Sequence, residues 1–257
     1  FLGQIFGEIW LTLPHCFNYT LYIMAFTGIK AVFVDIDDTL WWFGKNSEIA
    51  LKHTFCIFHL ERWCSYERFH DLYRAHNGRL WERYHHGELG KDFLLSERFR
   101  LPLAEVGCDE ISDELLTQLN EEYLTTLSSL PTLMPWGREM LDYLTAKGYE
   151  IGVVSNGFIS TQEPKLKAAG VREYIKHLII SEEIGYTKPM REIFDHALRC
   201  CGLQPHEVVM IGDNFDADIR GAHNAGWRTI FFNPRNLPAG TEADAIITHL
   251  SQVVEML

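Results

Sequence analysis

The sequence has little positive charge and no cluster of it. Its 257 residues include 23 Lys and Arg against 35 Asp and Glu, which gives a formal net charge of -12. Proteins that bind long nucleic acids usually carry a basic patch, because neutralising phosphates supplies most of their affinity. The sequence therefore argues against a nucleic-acid partner. An acidic protein can still bind a small phosphate where a metal ion or a few local donors offset the repulsion.

The six cysteines show no spacing that would form a zinc site. They include no C-x-x-C pair and no Cys/His pairing at ligand distance along the chain. We therefore expect buried, reduced thiols, with at least one of Cys200 and Cys201 pointing inward from a helix. This pattern favours a reducing, cytoplasmic compartment.

The sequence also lacks a convincing signal peptide or membrane anchor. Residues 1–23 are apolar, but they contain Glu8, Pro14 and Asn18 and have no basic segment at their start. We expect residues 1–23 to be a non-native or disordered extension, and the native protein to begin at Met24. No membrane partner is expected, and the protein should be a monomer or a homodimer.

Short apolar runs recur along the chain. The first covers residues 31–34 and ends abruptly in acids, which is typical of a fully buried parallel strand. Similar runs cover 151–154, 178–180, 208–211 and 229–232, with a weaker one at 245–248. Helical patterns over 139–147, 161–169 and 191–201 alternate with them, each followed by glycine. The alternation predicts an α/β fold with a Rossmann-like parallel sheet core.

Two local features refine this organisation. Ser160 and Glu163 form a capping-box pattern, which predicts that a helix begins there. Residues 43–130 contain no buried-strand run and instead carry apolar residues at helical spacing. We predict an α-helical cap domain over 43–130, inserted into a core formed by 24–42 and 131–257. An insertion at this point lies above the carboxyl end of the first strand, where open α/β sheets bind ligands.

Acidic residues crowd the end of the first strand. Asp35, Asp37 and Asp38 follow it within four residues, a costly arrangement unless a cation or protons neutralise them. Mg²⁺ prefers one or two carboxylates together with water and phosphate oxygens, so we expect a second acidic segment to complete the site. Asp213 and Asp218 supply such a segment directly after the fourth strand.

Donor groups follow the two strands between these acidic segments. Ser155 and Asn156 come at the end of the second strand, and Lys188 comes shortly after the third. A hydroxyl, backbone N–H groups and an ammonium thus join the carboxylates at one edge of the sheet, as the charge of a phosphoryl group requires.

These four segments, in this order, resemble the haloacid dehalogenase superfamily of phosphohydrolases. They are D-I-D-D-T-L at 35–40, S-N-G at 155–157, K-P at 188–189 and G-D-N-F-D-A-D at 212–218. The resemblance implies that Asp35 is the nucleophile and that Asp37 protonates the leaving oxygen and later activates water. It also implies that Asp35 and Asp213, with the backbone carbonyl of Asp37, hold Mg²⁺.

The resemblance implies supporting roles as well. Ser155, the backbone N–H of Asn156 and Lys188 would bind the phosphoryl oxygens, and Asp218 would orient Lys188 or a metal-bound water. We expect Thr39 to shape the turn after the first strand by local hydrogen bonds, and only secondarily to support Asp37.

Other polar and aromatic residues receive structural interpretations. Asp38 and Asp216 are interpreted as capping or solvated residues. The insertion's histidines lack an acid or Cys partner at ligand spacing, so we predict no metal site from His70, His76, His85 and His86. Trp41 and Trp81 are interpreted as core or hinge aromatics. Trp42 and Phe158 are the candidates for facing the substrate.

Within the superfamily, the sequence is most similar to nucleotidases that act on pyrimidine nucleoside monophosphates. The similar stretches are 80–89, 155–162, 179–189 and 191–198; Ser155 stands where these enzymes often have Thr, and the segment 101–113 is unfamiliar. We therefore predict a 5′-nucleotidase for dUMP, dTMP, UMP or modified pyrimidine monophosphates, with the cap excluding water. The alternative is a phosphatase of a small metabolite such as phosphoglycolate or a sugar phosphate.

Two further functions are less well supported by the sequence. Dehalogenases of this superfamily lack a second carboxylate at the position of Asp37, so Asp37 favours phosphate chemistry. A phosphate-binding regulator without catalysis is disfavoured by the intact set of Asp35, Asp37, Lys188 and Asp213.

Overall fold

The computed structural model describes residues 26–257. The predicted extension at 1–23, the suggested start at Met24 and Cys16 lie outside the described residues.

A six-stranded, fully parallel sheet forms the centre of the molecule, with the strand order β3-β2-β1-β4-β5-β6. Each apolar run that predicted a strand forms one, and every strand end lies within one residue of its predicted position. The strands are β1 Ala31–Val34, β2 Glu150–Ser155, β3 His177–Ile180, β4 Val208–Gly212, β5 Arg228–Phe232 and β6 Ala245–Ile247.

The sheet is buried on both faces, which explains why its central strands are continuously apolar. Successive side chains of β1 point to opposite faces: Val32 and Val34 belong to one apolar cluster, whereas Ala31 and Phe33 belong to another. On the adjacent strand, a Cβ at Gly152 would lie 2.2 Å from the Phe33 ring. Only glycine at this position therefore leaves room for the ring.

Four of the α-helices between β1 and β2 lie within residues 43–129, which we call the helical segment. They are α1 Phe43–Ile57, α2 Tyr66–His85, α3 Lys91–Glu105 and α4 Asp113–Ser129. The side chains of Ser65 and Ser112 cap α2 and α4 by accepting backbone N–H groups. Buried rings of Tyr73, Phe99 and Tyr123 pack against one another and join three of these helices.

The remaining helices accompany the sheet. They are α5 Gly137–Ala146, α6 Ile159–Ala168, α7 Ser181–Ile184, α8 Arg191–Cys201 and α9 Gly221–Asn224, with a π-helical turn at Phe215–Arg220 and short 3-10 turns at Leu60–Arg62, Arg172–Tyr174, Pro205–Glu207 and Leu250–Glu255. Gly202 ends α8 with a φ of 69°, as its position after the helical pattern predicted.

The predicted capping box at the start of α6 is wrong. The helix begins at Ile159, one residue before Ser160. Its N-cap residue is Phe158, whose side chain makes no capping hydrogen bond. Instead, the backbone N–H of Ile159 donates to the Glu182 carboxylate at 2.8 Å. A residue distant in sequence therefore satisfies the helix end, which a local pattern does not reveal.

The cysteines differ in part from expectation. Cys56, Cys64, Cys108, Cys200 and Cys201 are free thiols, but only Cys108 is buried. Cys201 packs partly against the apolar cluster under α8, as one of the adjacent pair was expected to do. In the part of the chain that the structure describes, no helix has the length and apolarity needed to cross a membrane.

Candidate active site

The strand order of the sheet reverses at β1 and β4, which pair with each other while their connections leave in opposite directions. Open α/β sheets bind ligands in the crevice outside the carboxyl ends of strands at such a point. A cavity of about 300 Å³ lies there, which we call the central cavity. Its lining comprises Asp35, Asp37, Phe43, Asn77, Gly78, Trp81, His85, Ser155, Asn156, Gly157, Lys188, Asp213, Asn214, Ala217 and Asp218.

The Lys188 ammonium lies between two carboxylates. Its Nζ is 2.5 Å from Oδ1 of Asp35 and 2.6 Å from Oδ1 of Asp218, and all three residues are buried. Burial alone would lower the pKa of Lys188, but the charges of Asp218 and Asp35 raise it above its ordinary value. Lys188 is therefore a fixed cation at the floor of the cavity.

Asp35 carries an unusual charge environment for a carboxylate. Burial raises its pKa to about 7; the attraction of Lys188 opposes this shift, and repulsion from Asp218 and Asp37 adds to it. The ionised form of Asp35 is thus short of compensating charge, although an ammonium touches it.

The side chain of Asn156 fixes the main chain of Lys188. Its Oδ1 accepts the backbone N–H of Lys188 at 2.8 Å, and its Nδ2 donates to the Lys188 carbonyl at 2.9 Å. The Lys188 ammonium also donates to the carbonyl of Val154 at 2.8 Å. The sequence predicted a role only for the backbone of Asn156, whereas its side chain joins the segments after β2 and β3.

Asp213 faces Asp35 from the end of β4. Burial raises its pKa to about 8, and repulsion from Asp218, Asp35 and Asp38 contributes, while Arg235 opposes the shift. Arg235 donates to its Oδ2 at 3.0 Å, a contact that no sequence pattern indicated.

Thr39 does more than shape its own turn. Its hydroxyl donates to Oδ1 of Asp213 at 3.3 Å, across 174 residues of sequence. The interpretation of this hydroxyl as a local hydrogen-bonding group with Asp37 as its secondary partner is therefore wrong, because it links the loops after β1 and β4. Its partner is one of the predicted metal ligands.

Asp218 is placed by the irregular turn after β4. The turn is π-helical over Phe215–Arg220, and the backbone N–H of Asn214 donates to Oδ2 of Asp218 at 3.0 Å. A Cβ at Gly212 would lie 2.2 Å from this carboxylate, so only glycine lets Asp218 approach the end of β4. π-Helical turns commonly occur at functional sites.

Three carboxylates together form a group that can hold a metal ion. Oxygen atoms of Asp35, Asp213 and Asp218 lie within 4.8 Å of one another. Burial and, to a smaller extent, repulsion between the carboxylates raise the pKa values of Asp35 and Asp213, so a cation bound between them would stabilise their ionised forms. An all-oxygen donor set with surplus negative charge suits a hard divalent cation, so the residues fit such an ion. The group includes Asp218, which the sequence analysis expected to orient Lys188 or a metal-bound water rather than to be a direct ligand.

Two residues that the sequence analysis missed hold the Asp37 side chain. Lys165 Nζ donates to Oδ1 of Asp37 at 2.7 Å, and Gln162 Nε2 donates to Oδ2 at 2.9 Å. Both residues lie on α6 and are buried. The sequence offered one signal for their role: they lie three residues apart on the helix that follows the S-N-G segment.

The helical segment covers the opposite side of the cavity through α2. Asn77, Trp81 and His85 line it at intervals of four residues, the spacing of one helix face. Burial lowers the pKa of His85 to about 4, with the Lys188 charge contributing, so its imidazole is neutral at physiological pH. The interpretation of Trp81 as a core or hinge aromatic missed this position, whereas Trp41 is fully buried as expected.

The two aromatic residues predicted to face the substrate lie elsewhere. Trp42 precedes α1 and lines a separate surface cavity with Lys45 and Leu51. Phe158 is buried behind Trp81, with the two ring centroids 5.0 Å apart. Neither lines the central cavity, whereas Phe43, at the start of α1, does.

Asp38 and Asp216 occupy the capping and solvated positions that we predicted. Asp38 accepts the backbone N–H of Gly44 at 2.9 Å in the first turn of α1. Asp216 is exposed and pairs with Arg220. Neither belongs to the carboxylate group that can hold a metal ion.

Comparison with known proteins agrees with this geometry. A family model described as haloacid dehalogenase-like hydrolase matches residues 29–226. The pyrimidine 5′-nucleotidase YjjG of Escherichia coli is 31% identical over 88% of this chain and 96% of its own length. A glyceraldehyde 3-phosphate phosphatase of Methanothermobacter thermautotrophicus is 31% identical over 80% of this chain and 86% of its own.

A solved structure shares the fold across nearly the whole described chain. It is the magnesium-bound form of the putative HAD-hydrolase YfnB from Bacillus subtilis, whose description reports interdomain movement. The TM-score is 0.77 at 25% identity, and the match covers 88% of this chain and 96% of YfnB.

Proposed function

Because the chain is a phosphatase of the haloacid dehalogenase-like hydrolase family, we propose that it hydrolyses pyrimidine nucleoside 5′-monophosphates with Mg²⁺, through a phosphorylated Asp35. The observation that carries the proposal is the arrangement around Asp35. Its carboxylate lines a cavity, contacts the Lys188 ammonium at 2.5 Å and lies within a carboxylate group that can hold a metal ion.

The first step transfers the phosphoryl group to the enzyme. An Asp35 oxygen attacks phosphorus and forms the acyl phosphate, while the bond between phosphorus and the ester oxygen breaks. The departing oxygen takes the electron pair of that bond and a proton from the Asp37 carboxyl group, so the product leaves as an alcohol. Asp37 is then a carboxylate.

The second step restores Asp35. Asp37 accepts a proton from a water molecule as the water oxygen attacks phosphorus, and the bond from phosphorus to Asp35 breaks. Asp35 leaves as a carboxylate, Asp37 regains its proton and inorganic phosphate is released. Each group thus returns to its starting state.

The groups after β2 and β3 are arranged for the phosphoryl oxygens. The Ser155 hydroxyl oxygen accepts hydrogen bonds from Gly157 N at 3.2 Å and from Gln162 Nε2 at 2.9 Å. Because its acceptor positions are used, its hydrogen is free to donate to a phosphoryl oxygen. Lys188 supplies positive charge beside it, and Asp218 holds the ammonium in place.

Asp35 and Asp213, with the backbone carbonyl of Asp37, would hold Mg²⁺, and Asp218 lies close enough to join them. Bound there, the ion would offset the repulsion between the attacking carboxylate and the phosphate dianion. The raised pKa values of Asp35 and Asp213 support this assignment, because a cation would stabilise the ionised forms that burial and mutual repulsion disfavour.

The helical segment is proposed to act as a cap that selects the leaving group. The side chains that it contributes to the cavity are neutral: Asn77, Trp81 and His85, with Phe43 at its start. Among the residues that the structure describes, Lys188 is the only Lys or Arg of the cavity lining, and two carboxylates already pair with it. This composition favours an uncharged leaving group, and Trp81 offers an aromatic surface for a nucleobase.

A second candidate substrate is a small sugar phosphate, since a relative of similar identity is named a glyceraldehyde 3-phosphate phosphatase. Its leaving group is also uncharged. The other small metabolite considered from the sequence, phosphoglycolate, carries a carboxylate, and the cavity lining over residues 26–257 offers no free cation to meet it.

A panel of phosphate esters assayed with Mg²⁺ and with EDTA tests the proposal. We expect kcat/KM to be highest for UMP, dUMP or dTMP, lower for glyceraldehyde 3-phosphate and lowest for phosphoglycolate, with no turnover in EDTA. A preference for glyceraldehyde 3-phosphate over every nucleotide would establish the second candidate. A preference for phosphoglycolate would contradict the neutral-cavity argument, and absence of turnover with Mg²⁺ would favour a non-catalytic phosphate-binding protein.

A further inference from the structure

We infer that Lys165 and Gln162 are positioning residues for proton transfer by Asp37, an inference that rests on the proposed function. Both Asp37 carboxylate oxygens are engaged by α6, Oδ1 by Lys165 at 2.7 Å and Oδ2 by Gln162 at 2.9 Å. Two donors on two oxygens fix the plane of the carboxyl group as well as its distance from the cavity.

The environment of Lys165 makes this pair unlike a surface ion pair. The Lys165 side chain is only 4% exposed, and its Nζ lies 4.7 Å from the centre of the Trp41 ring. A buried ammonium in this position stabilises the carboxylate that Asp37 becomes once it has given up its proton. Asp37 itself stays 31% exposed and lines the central cavity, so the buried cation supports a carboxylate that remains accessible to substrate.

Gln162 connects the same carboxylate to the phosphate-binding side of the site. Its Nε2 donates to Asp37 Oδ2 and to the Ser155 hydroxyl oxygen, each at 2.9 Å. One amide nitrogen therefore uses both of its hydrogens to set the spacing between the proton-transfer group and a phosphoryl donor.

Two structural costs at Gln162 indicate that the amide serves as a donor rather than as packing. Its Oε1 is buried and has no hydrogen-bond partner among the residues that the structure describes, a cost that an apolar side chain of similar shape would avoid. A Cβ at Gly157 would lie 1.7 Å from Nε2, so the chain leaves this space open for the amide. What the Gln162 amide gains in return is the pair of hydrogen bonds that it donates to Asp37 and Ser155.

The arrangement has a consequence for each chemical step. When Asp37 gives its proton to the leaving oxygen, Lys165 and Gln162 stabilise the carboxylate that forms. They then hold this carboxylate toward the cavity for the attack of water. Loss of either donor should therefore slow substrates whose basic leaving oxygen must be protonated as it departs. It should slow less those substrates whose leaving oxygen departs as a stable anion.

Phenyl phosphate and p-nitrophenyl phosphate separate these cases, because they are similar in shape but differ in the basicity of the departing oxygen. The full chain with Mg²⁺ is assayed on both, and kcat/KM is compared, since it reports the steps through formation of the phosphorylated enzyme. For Lys165→Met we expect the loss on phenyl phosphate to exceed that on p-nitrophenyl phosphate by about tenfold or more, a part of what general acid catalysis contributes.

Further variants control this comparison. Lys165→Arg retains a cationic donor and should recover part of the selective loss. Lys167→Met removes an exposed lysine two positions along the same helix and should leave the ratio of the two kcat/KM values unchanged. Gln162→Met should show the same selectivity as Lys165→Met, so it decides the outcome if Lys165→Met does not fold, as judged by its thermal unfolding transition.

Equal losses on the two esters in folded variants would show that the residues have only a structural role and would overturn the inference. An unchanged ratio without loss of activity would overturn it as well. A wild-type chain that hydrolyses neither ester with Mg²⁺ would instead overturn the proposed function, and this inference with it. The two failures are therefore distinguishable.

Discussion

The ammonium of Lys188 lies 2.5 Å from the carboxylate of Asp35, although 153 residues separate them in sequence. The contact joins the end of β1 to the segment after β3, and it is buried from solvent. It places a fixed positive charge beside the proposed nucleophile before any substrate arrives. Such preorganised charge is a large source of rate enhancement when negative charge moves during the reaction.

Replacing Lys188 should therefore affect stability as well as activity. Lys188→Met leaves the buried carboxylates of Asp35 and Asp218 without their cation. We expect the free energy of unfolding in EDTA at neutral pH to fall by about 3–5 kcal/mol, as when one partner of a buried ion pair is removed. Urea unfolding measures it. Lys167→Met, which removes an exposed lysine, should change little. An unfolding free energy equal to wild type would refute the importance of this pair.

The pH dependence of stability should reveal the metal site. In the folded, metal-free protein the pKa of Asp213 is about 8, against 3.8 for an ordinary aspartate. The folded state then keeps a proton that the unfolded state loses, so stability should fall as the pH rises from about 4 to about 8. Mg²⁺ replaces that proton, so its stabilising effect should grow over the same range.

Thermal unfolding in EDTA and in Mg²⁺, measured at about pH 5 and about pH 8, provides the comparison. The difference between the two midpoints should be larger at the higher pH. Asp213→Asn serves as the control, because it removes the titrating group and should weaken both the pH dependence and the effect of Mg²⁺. A Mg²⁺ effect that shrinks with rising pH would contradict the assignment.

Trp81 should contribute to binding the leaving group but not the phosphate. We expect Trp81→Ala to raise KM for the preferred nucleotide about tenfold, the loss of one aromatic stacking contact. Competitive inhibition by inorganic phosphate should stay unchanged, because Ser155 and Lys188 remain in place. Trp136→Ala, at an exposed tryptophan before α5, is the matched control. Equal weakening of nucleotide and phosphate binding would show that Trp81 acts on the whole site.

The sheet and its acidic edge could be predicted from sequence because their signals are local. A buried parallel strand is a short apolar run, and parallel strands bring their carboxyl ends to one edge. The positions of Asp35 and Asp213 at the strand ends therefore implied that they meet. The contact of Thr39 with Asp213 had no such signal, since it depends on the side-chain geometry of two loops.

The side of the cavity formed by α2 was harder to predict. Asn77, Trp81 and His85 share a helix face by their spacing, but helical periodicity does not say which face lies over the sheet. That orientation depends on how the helical segment packs against the rest of the chain. The same limit applies to Lys165, which looks like an ordinary helical lysine until α6 is placed beside the turn after β1.

The central claim is that Asp35 attacks phosphorus, and turnover of p-nitrophenyl phosphate with saturating Mg²⁺ tests it most directly. Asp35→Asn should reduce kcat on the order of a thousandfold or more, as loss of a catalytic nucleophile does. Asp38→Asn is the matched control three residues away; its side chain still accepts the Gly44 N–H, and turnover should stay near that of wild type. Near-normal turnover by a clean Asp35→Asn protein would contradict the mechanism.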